Sequence, residues 1–253
     1  FFTTDYRGIE EIIKDSSDLR KILELKEIPH FTTLQKAAQR LTKKNILDKL
    51  MKEILSTAIK SNVLKKKSKH TGIDGTGFES HHISSYFVKR RAKGRKEYQM
   101  TTYTRYPKAG IVVDSSTHLI LSGIPCRGPG PDIVHFKKAI IEAVKNTSIS
   151  LLTADAGYDS EQSHIFARET HGIRTIIPAT IGRRTKKLPT GKYRKIMTTR
   201  FNKKLYGQRW QTETVNSMIK RNLGSALRAR SYWSQCREIM LRLFTHNVMI
   251  LWG

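Results

Sequence analysis

Hydrophobic positions in the first 65 residues recur at helical intervals. Ile9, Ile12 and Ile13 lead on to Leu19, Ile22 and Leu23, the spacing of one helix face. Beyond Pro29, the set Leu34, Ala37, Ala38, Leu41 and then Ile46, Leu47, Leu50, Met51, Ile54, Leu55, Ala58 predicts one or two amphipathic helices. Thr32 or Thr33 is the expected N-cap of the first. Such helices suit either a helix-turn-helix DNA reader or a buttress and dimer surface. No short turn followed by a basic recognition helix stands out, which favours the second.

From residue 66 the pattern changes period. Thr71–Phe78 predicts a strand with Asp74 at its centre and glycines around it. Aspartate is disfavoured in strands, so Asp74 is either an Asp-Gly hairpin turn or a residue kept there for chemistry. Residues 110–122 read strand, polar turn, strand, with Asp114 as a turn residue. After Gly128-Pro-Gly-Pro131, Asp132 is the expected cap of a helix whose inner face is Ile133, Phe136, Ile140 and Val144. Residues 148–154 form an apolar strand running into Asp155, and Asp159 and Ser160 are the expected cap of a helix to Arg168. A strand at Ile173–Ile177 ends at Pro178, a basic connector fills 180–200, and one helix is expected over 206–220, stopping before Gly224. An apolar helix from Ser234 to Ile250 closes the chain. Three strands followed by alternating helices and strands predict a mixed α/β sheet flanked by helices. The expected organisation is an N-terminal helical region over 1–65 and an α/β domain over 66–253.

Charge narrows the partner. Lys and Arg outnumber Asp and Glu by 47 to 21, a net charge of +26, and so strong a field attracts polyanions, nucleic acid first. A chain of 253 residues with 38% hydrophobic content can bury a core, which sets it apart from a disordered basic tail. Between 80 and 108, Lys89, Arg90, Arg91, Arg95 and Lys96 alternate with Tyr and Phe, a mixture suited to phosphate contact with base or sugar packing. Arg183, Arg184, Lys186 and Lys187 add a second basic run. Cys126 and Cys236 stand alone and His81-His82 has no ligand partner at a useful spacing, so neither zinc nor a disulfide framework is expected. No membrane span is expected, because Arg242 and His246 interrupt the apolar tail. The sequence starts at Phe1 without a signal-peptide pattern; a cytosolic location and a longer natural N-terminus are the expectations.

The sharpest motif is Tyr206, two residues, Arg209, three residues, Glu213, six residues, Lys220. On one continuous helix these four side chains fall within an arc of about 60°. The plain alternative is a solvated helix face with an i,i+4 ion pair. The spacing resembles the Y-R-E-K signature of the DDE transposases of prokaryotic insertion sequences. Asp74-Gly-Thr and Asp155-Ala-Gly-Tyr158 precede it in the order that family requires, and the likeness covers roughly residues 68–252.

The resemblance implies an RNase H-like fold and a catalytic triad of Asp74, Asp155 and Glu213. It implies two Mg²⁺ ions per site, replaceable by Mn²⁺, with Asp155 bridging them. In the family, water first cuts at the element's ends and the freed 3′-OH then attacks target DNA. The partners implied are double-stranded DNA, as terminal inverted repeats and as target, and a second copy of the chain in the DNA complex, all in a prokaryotic cytoplasm. Arg209 and Lys220 are expected to hold phosphates; Tyr206 and Trp210 are expected to meet the end nucleotides, with a core role for Trp210 as the alternative. The chemistry is consistent on its own terms. Phosphodiester hydrolysis needs an activated nucleophile and relief of charge, which two metal ions provide, and Mg²⁺ prefers carboxylate oxygens. Two other classes share parts of this pattern: a stand-alone RNase H-like nuclease or resolvase, and a domesticated DNA-binding descendant without activity. Inverted repeats flanking the gene separate the first from a transposase, and all three carboxylates persist here, against the second.

Overall fold

The computed structural model describes residues 4–80, 106–180 and 187–253. The basic residues Lys89, Arg90, Arg91, Arg95, Lys96, Arg183, Arg184 and Lys186 lie outside the described residues, as does His81-His82.

Four helices open the chain: α1 Tyr6–Asp15, α2 Ser17–Ile22, α3 Phe31–Leu41 and α4 Lys44–Lys60. Helix α4 buries Leu47, Met51, Ile54, Leu55 and Ala58, as its periodicity predicts. The stripe on the first two helices behaves differently: Ile13 is buried, but Ile22 and Leu23 are exposed. The N-cap of α3 is His30, whose ring nitrogen accepts from the Thr32 amide, so Thr32 and Thr33 sit inside the helix instead of capping it.

The sheet has five strands: β1 Thr71–Gly77, β2 Tyr106–Asp114, β3 Ile120–Gly128, β4 Leu151–Ala154 and β5 Arg174–Ile176. Their spatial order is β3-β2-β1-β4-β5. The first three pair antiparallel, and β4 and β5 run parallel to β1. This is the mixed, helix-flanked α/β architecture expected, consistent with an RNase H-like fold. Strand β2 is buried from Pro107 to Asp114, as a central strand covered on both faces must be. Its alternation assigns the faces. Ala109, Ile111 and Val113 join Val215, Ile219, Ile239 and Leu243, whereas Val112 joins Phe136, Ala139, Ile140 and the α4 residues Ile54, Leu55 and Ala58.

The helices supplying those faces are α5 Phe136–Asn146, α6 Glu161–Ile165, α7 Lys192–Thr199, α8 Lys203–Tyr206, α9 Trp210–Leu223 and α10 Tyr232–Trp252. Helix α10 is tied to β3 by Asn247, whose side-chain amide both accepts from and donates to the Ile120 backbone at 2.8 Å. Three expectations need correction here. Asp132 does not cap α5; it lies in a 3-10 turn (Asp132–His135) and its carboxylate pairs with Lys108 instead. Ser160 is the N-cap of α6, but neither it nor Asp159 supplies a side-chain cap, because Asp159 is taken by Arg194. The stretch 206–220 is not one helix. It is α8, a 3-10 turn at Gly207–Arg209, and then α9. Gly207, a poor helix former, starts the tighter turn. At three residues per turn Arg209 eclipses Tyr206 instead of lying about 60° away.

Candidate active site

Strands β1 and β4 are parallel neighbours, and their last paired residues are Ile73 and Ala154. Asp74 and Asp155 each come one step later, along adjacent strands. Parallel register therefore brings together two carboxylates 81 residues apart in sequence. Asp74 pairs with Ile111 across β2 and so faces the side covered by α9. Asp155 leaves the strand and caps the short 3-10 turn Ala156–Tyr158, its Oδ1 accepting from the Gly157 amide at 2.9 Å.

Helix α9 comes unusually close to β1, and a glycine permits it. A Cβ on Gly72 would stand 1.9 Å from Thr212 Oγ1, far inside van der Waals contact. With the helix seated there, Val215 and Ile219 enter the core. Asn216 reaches the strand and donates from Nδ2 to Asp74 Oδ2 at 3.0 Å. Sequence reasoning missed Asn216. The available signal was a polar residue beside the inward-facing Val215, three positions after Glu213.

On the far side of β1, Gly75 plays a similar part. A Cβ there would lie 2.5 Å from Asp132 Oδ1 and 2.8 Å from Lys108 Cε, so the Lys108–Asp132 ion pair lies directly beneath the strand that carries Asp74. Tyr158 is buried in the same region. Burial first, then the charges of Asp132, Asp74 and Asp155, push its hydroxyl far above the usual tyrosine range.

Asp74 is the electrostatically perturbed carboxylate. Burial is the main cause raising it to about 6, with the charge of Asp155 adding to this and the Gly75 amide and Arg209 opposing it. Since the folded value lies above the ordinary 3.8, the folded state holds the proton more tightly than the unfolded chain. That contribution is complete below about pH 4 and is lost as pH rises to about 6. In chelator, Asp74→Asn should therefore be more stable than wild type at pH 7.5, by on the order of 2 kcal/mol. The gap should shrink to less than about half by pH 4.5 in urea titrations at both values. A gap independent of pH contradicts the assignment.

Glu213 lies on the first turn of α9 with its side chain 55% exposed, and it pairs with Arg209 four residues earlier. Arg209 lies in the 3-10 turn with its side chain 23% exposed and stacks toward the Tyr206 ring, 5.9 Å from the centroid. Its charge also acts on Asp74. Tyr206 packs on Phe201 at 5.0 Å between ring centroids and against the small cluster of Leu151, Ile176 and Met197. Trp210 is 55% exposed, so the core alternative for it does not hold. Lys220 sits in the last turn of α9 without an ion pair or hydrogen bond among the described residues. Lys187 is exposed. Asp74, Asp155 and Arg209 thus converge, with Glu213 at their margin and Lys220 two helical turns beyond it.

Oxygen donors of this kind suit a hard divalent cation. Asp74 and Asp155 are adjacent, and the buried Oδ1 of Asn216 has no hydrogen-bond partner among the described residues. Among the described residues no group of three His, Cys, Asp or Glu side chains is already gathered for an ion, because Glu213 is turned to Arg209. Two aspartates are thus in place for such an ion, whereas Glu213 is engaged by Arg209. One cavity of about 640 Å³ runs between the N-terminal helices and residues 228–241, away from Asp74 and Asp155.

The profile of one family, described as the transposase DDE domain, matches residues 65–248. The chain belongs to that family. No curated protein matches it. The match takes in every strand of the sheet, both aspartates, and α9 with Glu213, so the transposase domain coincides with the fold that assembles this site. Among the described residues no helix of the transposase is long and apolar enough to cross a membrane.

Proposed function

We propose that this transposase binds the terminal inverted repeats of an insertion sequence, cuts the DNA there, and joins the freed ends to a target. The observation carrying this reading is the juxtaposition of Asp74 and Asp155 at adjacent strand positions beneath the helix that bears Glu213. These three side chains would hold two Mg²⁺ ions. When bound, such ions supply charge relief on the phosphate and leaving oxygen and an activated nucleophile. The protein's own groups do the rest. Asp74, raised to about 6 by burial, is a desolvated carboxylate whose charge a bound cation would offset. Glu213 would help hold an ion on leaving Arg209, and the guanidinium would then be free to take a phosphate as a bidentate donor. Lys220 holds the strand farther along α9. Tyr206 orients Arg209, and exposed Trp210 meets a nucleotide at the element's end. Lys187, with Lys89, Arg90, Arg91, Arg95, Lys96, Arg183, Arg184 and Lys186, contributes to the field that gathers DNA. Two copies of the chain, one per end, fit a reaction at paired ends.

The test uses a duplex bearing the inverted repeat read from DNA flanking the gene. Nicking at the repeat boundary should require Mg²⁺ or Mn²⁺, cease in chelator and need no zinc. Ca²⁺, with its looser and larger coordination shell, should allow binding but little cutting. Robust nicking without a divalent ion, or equal nicking of any sequence, would remove the reading; the latter points to a general nuclease.

Lys220→Ala should flatten the salt slope of binding to that duplex by about one unit or less, as loss of one phosphate contact requires. Its cleavage rate should fall more than its affinity, because a displaced phosphate loses alignment. Equal losses on any DNA would make Lys220 a general electrostatic contact. For Arg209, lysine should rescue an alanine variant only in part, since it restores charge without the planar fork.

A further inference from the structure

We propose that Asn216 is a positioning residue for the metal-binding carboxylates: its amide fixes Asp74 with the donor end and leaves the acceptor end for a divalent cation or its hydration water. The inference rests on the proposed role of Asp74 as a metal ligand and assigns a task to a residue outside the three carboxylates.

Geometry carries it. An ionised carboxylate only accepts hydrogen bonds, so the amide must turn Nδ2 toward Asp74, and it does so at 3.0 Å. That leaves Oδ1 as the other end, and this oxygen is buried without a hydrogen-bond partner among the described residues. A buried acceptor left unmade is unfavourable, and the residue that carries it is bonded to Asp74. The amide also has little freedom to go elsewhere. Gly72 and Thr212 fix the height of α9 over β1, and Val215 and Ile219, next to Asn216 on the helix, are fully buried. Groups that orient metal ligands in this way set ion affinity as well as rate.

The experiment measures Mn²⁺ binding to the DNA-free protein, by calorimetry or by the free-ion resonance signal, with thermal melts in chelator alongside. Asn216→Ala should weaken Mn²⁺ roughly tenfold to a hundredfold. Asn216→Gln, which keeps the amide on a longer arm, should recover part of this. Ser217→Ala, on the exposed side of the same helix, should bind Mn²⁺ as wild type does. If Asn216→Ala and wild type agree within a factor of two, or Asn216→Gln is no better than Asn216→Ala, the inference is overturned. If Asn216→Ala does not fold, Asn216→Asp decides. It keeps the shape but sets a second anion on Asp74, so Mn²⁺ should raise its melting temperature more than that of wild type; an equal rise overturns the inference. Asp74→Asn separates this from the underlying reading. Wild-type Mn²⁺ affinity in Asp74→Asn sinks the metal site itself. Lost affinity there, beside unchanged affinity in Asn216→Ala, removes only the role of Asn216.

Discussion

Asp155→Ala is expected to nick the end duplex on the order of a thousandfold more slowly than wild type, since ion-held charge relief is worth several kcal/mol at the transition state. Its affinity for the same duplex should change by less than about threefold, because a carboxylate adds nothing favourable to phosphate binding. Asp74→Ala should behave alike, as its partner across the β1–β4 pair. Glu213→Ala should match them if the glutamate transfers from Arg209 to the ions, and should be mild if the pair with Arg209 is only a surface contact. Single-turnover nicking measured beside a gel-shift titration reads both quantities. Near-normal cutting by any one variant removes that residue from the set.

Arg194→Ala should cost about 3 kcal/mol of stability, the lower end of what breaking a buried ion pair removes. Asp159 carries a fully buried side chain, whereas Arg194 keeps 21% of its side chain exposed, and this partial solvation is why the lower end is chosen. Arg194 donates from Nε and Nη2 to both Asp159 oxygens, at 2.8–3.0 Å. The Thr180 amide also donates to Asp159 Oδ2, at 2.6 Å. Without Arg194 the buried anion keeps, among the described residues, that neutral donor and His164 Nε2 at 4.0 Å. Replacing both partners, as Asp159→Leu with Arg194→Met, should recover most of the loss, because the buried charge goes with its partner. The double-mutant cycle in urea decides this, and equal losses in the single and double variants would reassign the cost to packing. The site lies four residues past Asp155, so nicking should drop in the single variant even under conditions where it is folded.

Much of this was open to sequence reading for definite reasons. Asp74 announces itself because it breaks β-propensity in the middle of a strand flanked by glycines, and Asp155 because an apolar strand runs straight into it. Glu213 follows from its spacing to Arg209 and Lys220. What escaped depends on chain segments meeting from a distance. Asp132 looks like a helix cap until Lys108 arrives from β2 and takes its carboxylate. Asp159 looks like a cap until Arg194, 35 residues on, takes it. Asn216 reads as an ordinary helical polar residue until Gly72 lets the helix down onto β1. The break at Gly207–Arg209 escaped because helical periodicity assumes one pitch throughout, while a glycine opening the segment lets a tighter turn form.

The parallel pairing of β1 with β4 also orders events during synthesis. Between them the chain lays down β2, β3 and α5, so the two aspartates meet only after a long loop has closed, at an entropic cost that grows with its length. The helix bearing Glu213 and Asn216 emerges later still. A ribosome-bound chain that has reached the basic connector already carries much of the positive charge that attracts DNA, yet lacks part of the oxygen set needed to cut it. On the proposed function, a fragment ending before Trp210 is therefore expected to occupy DNA without breaking it.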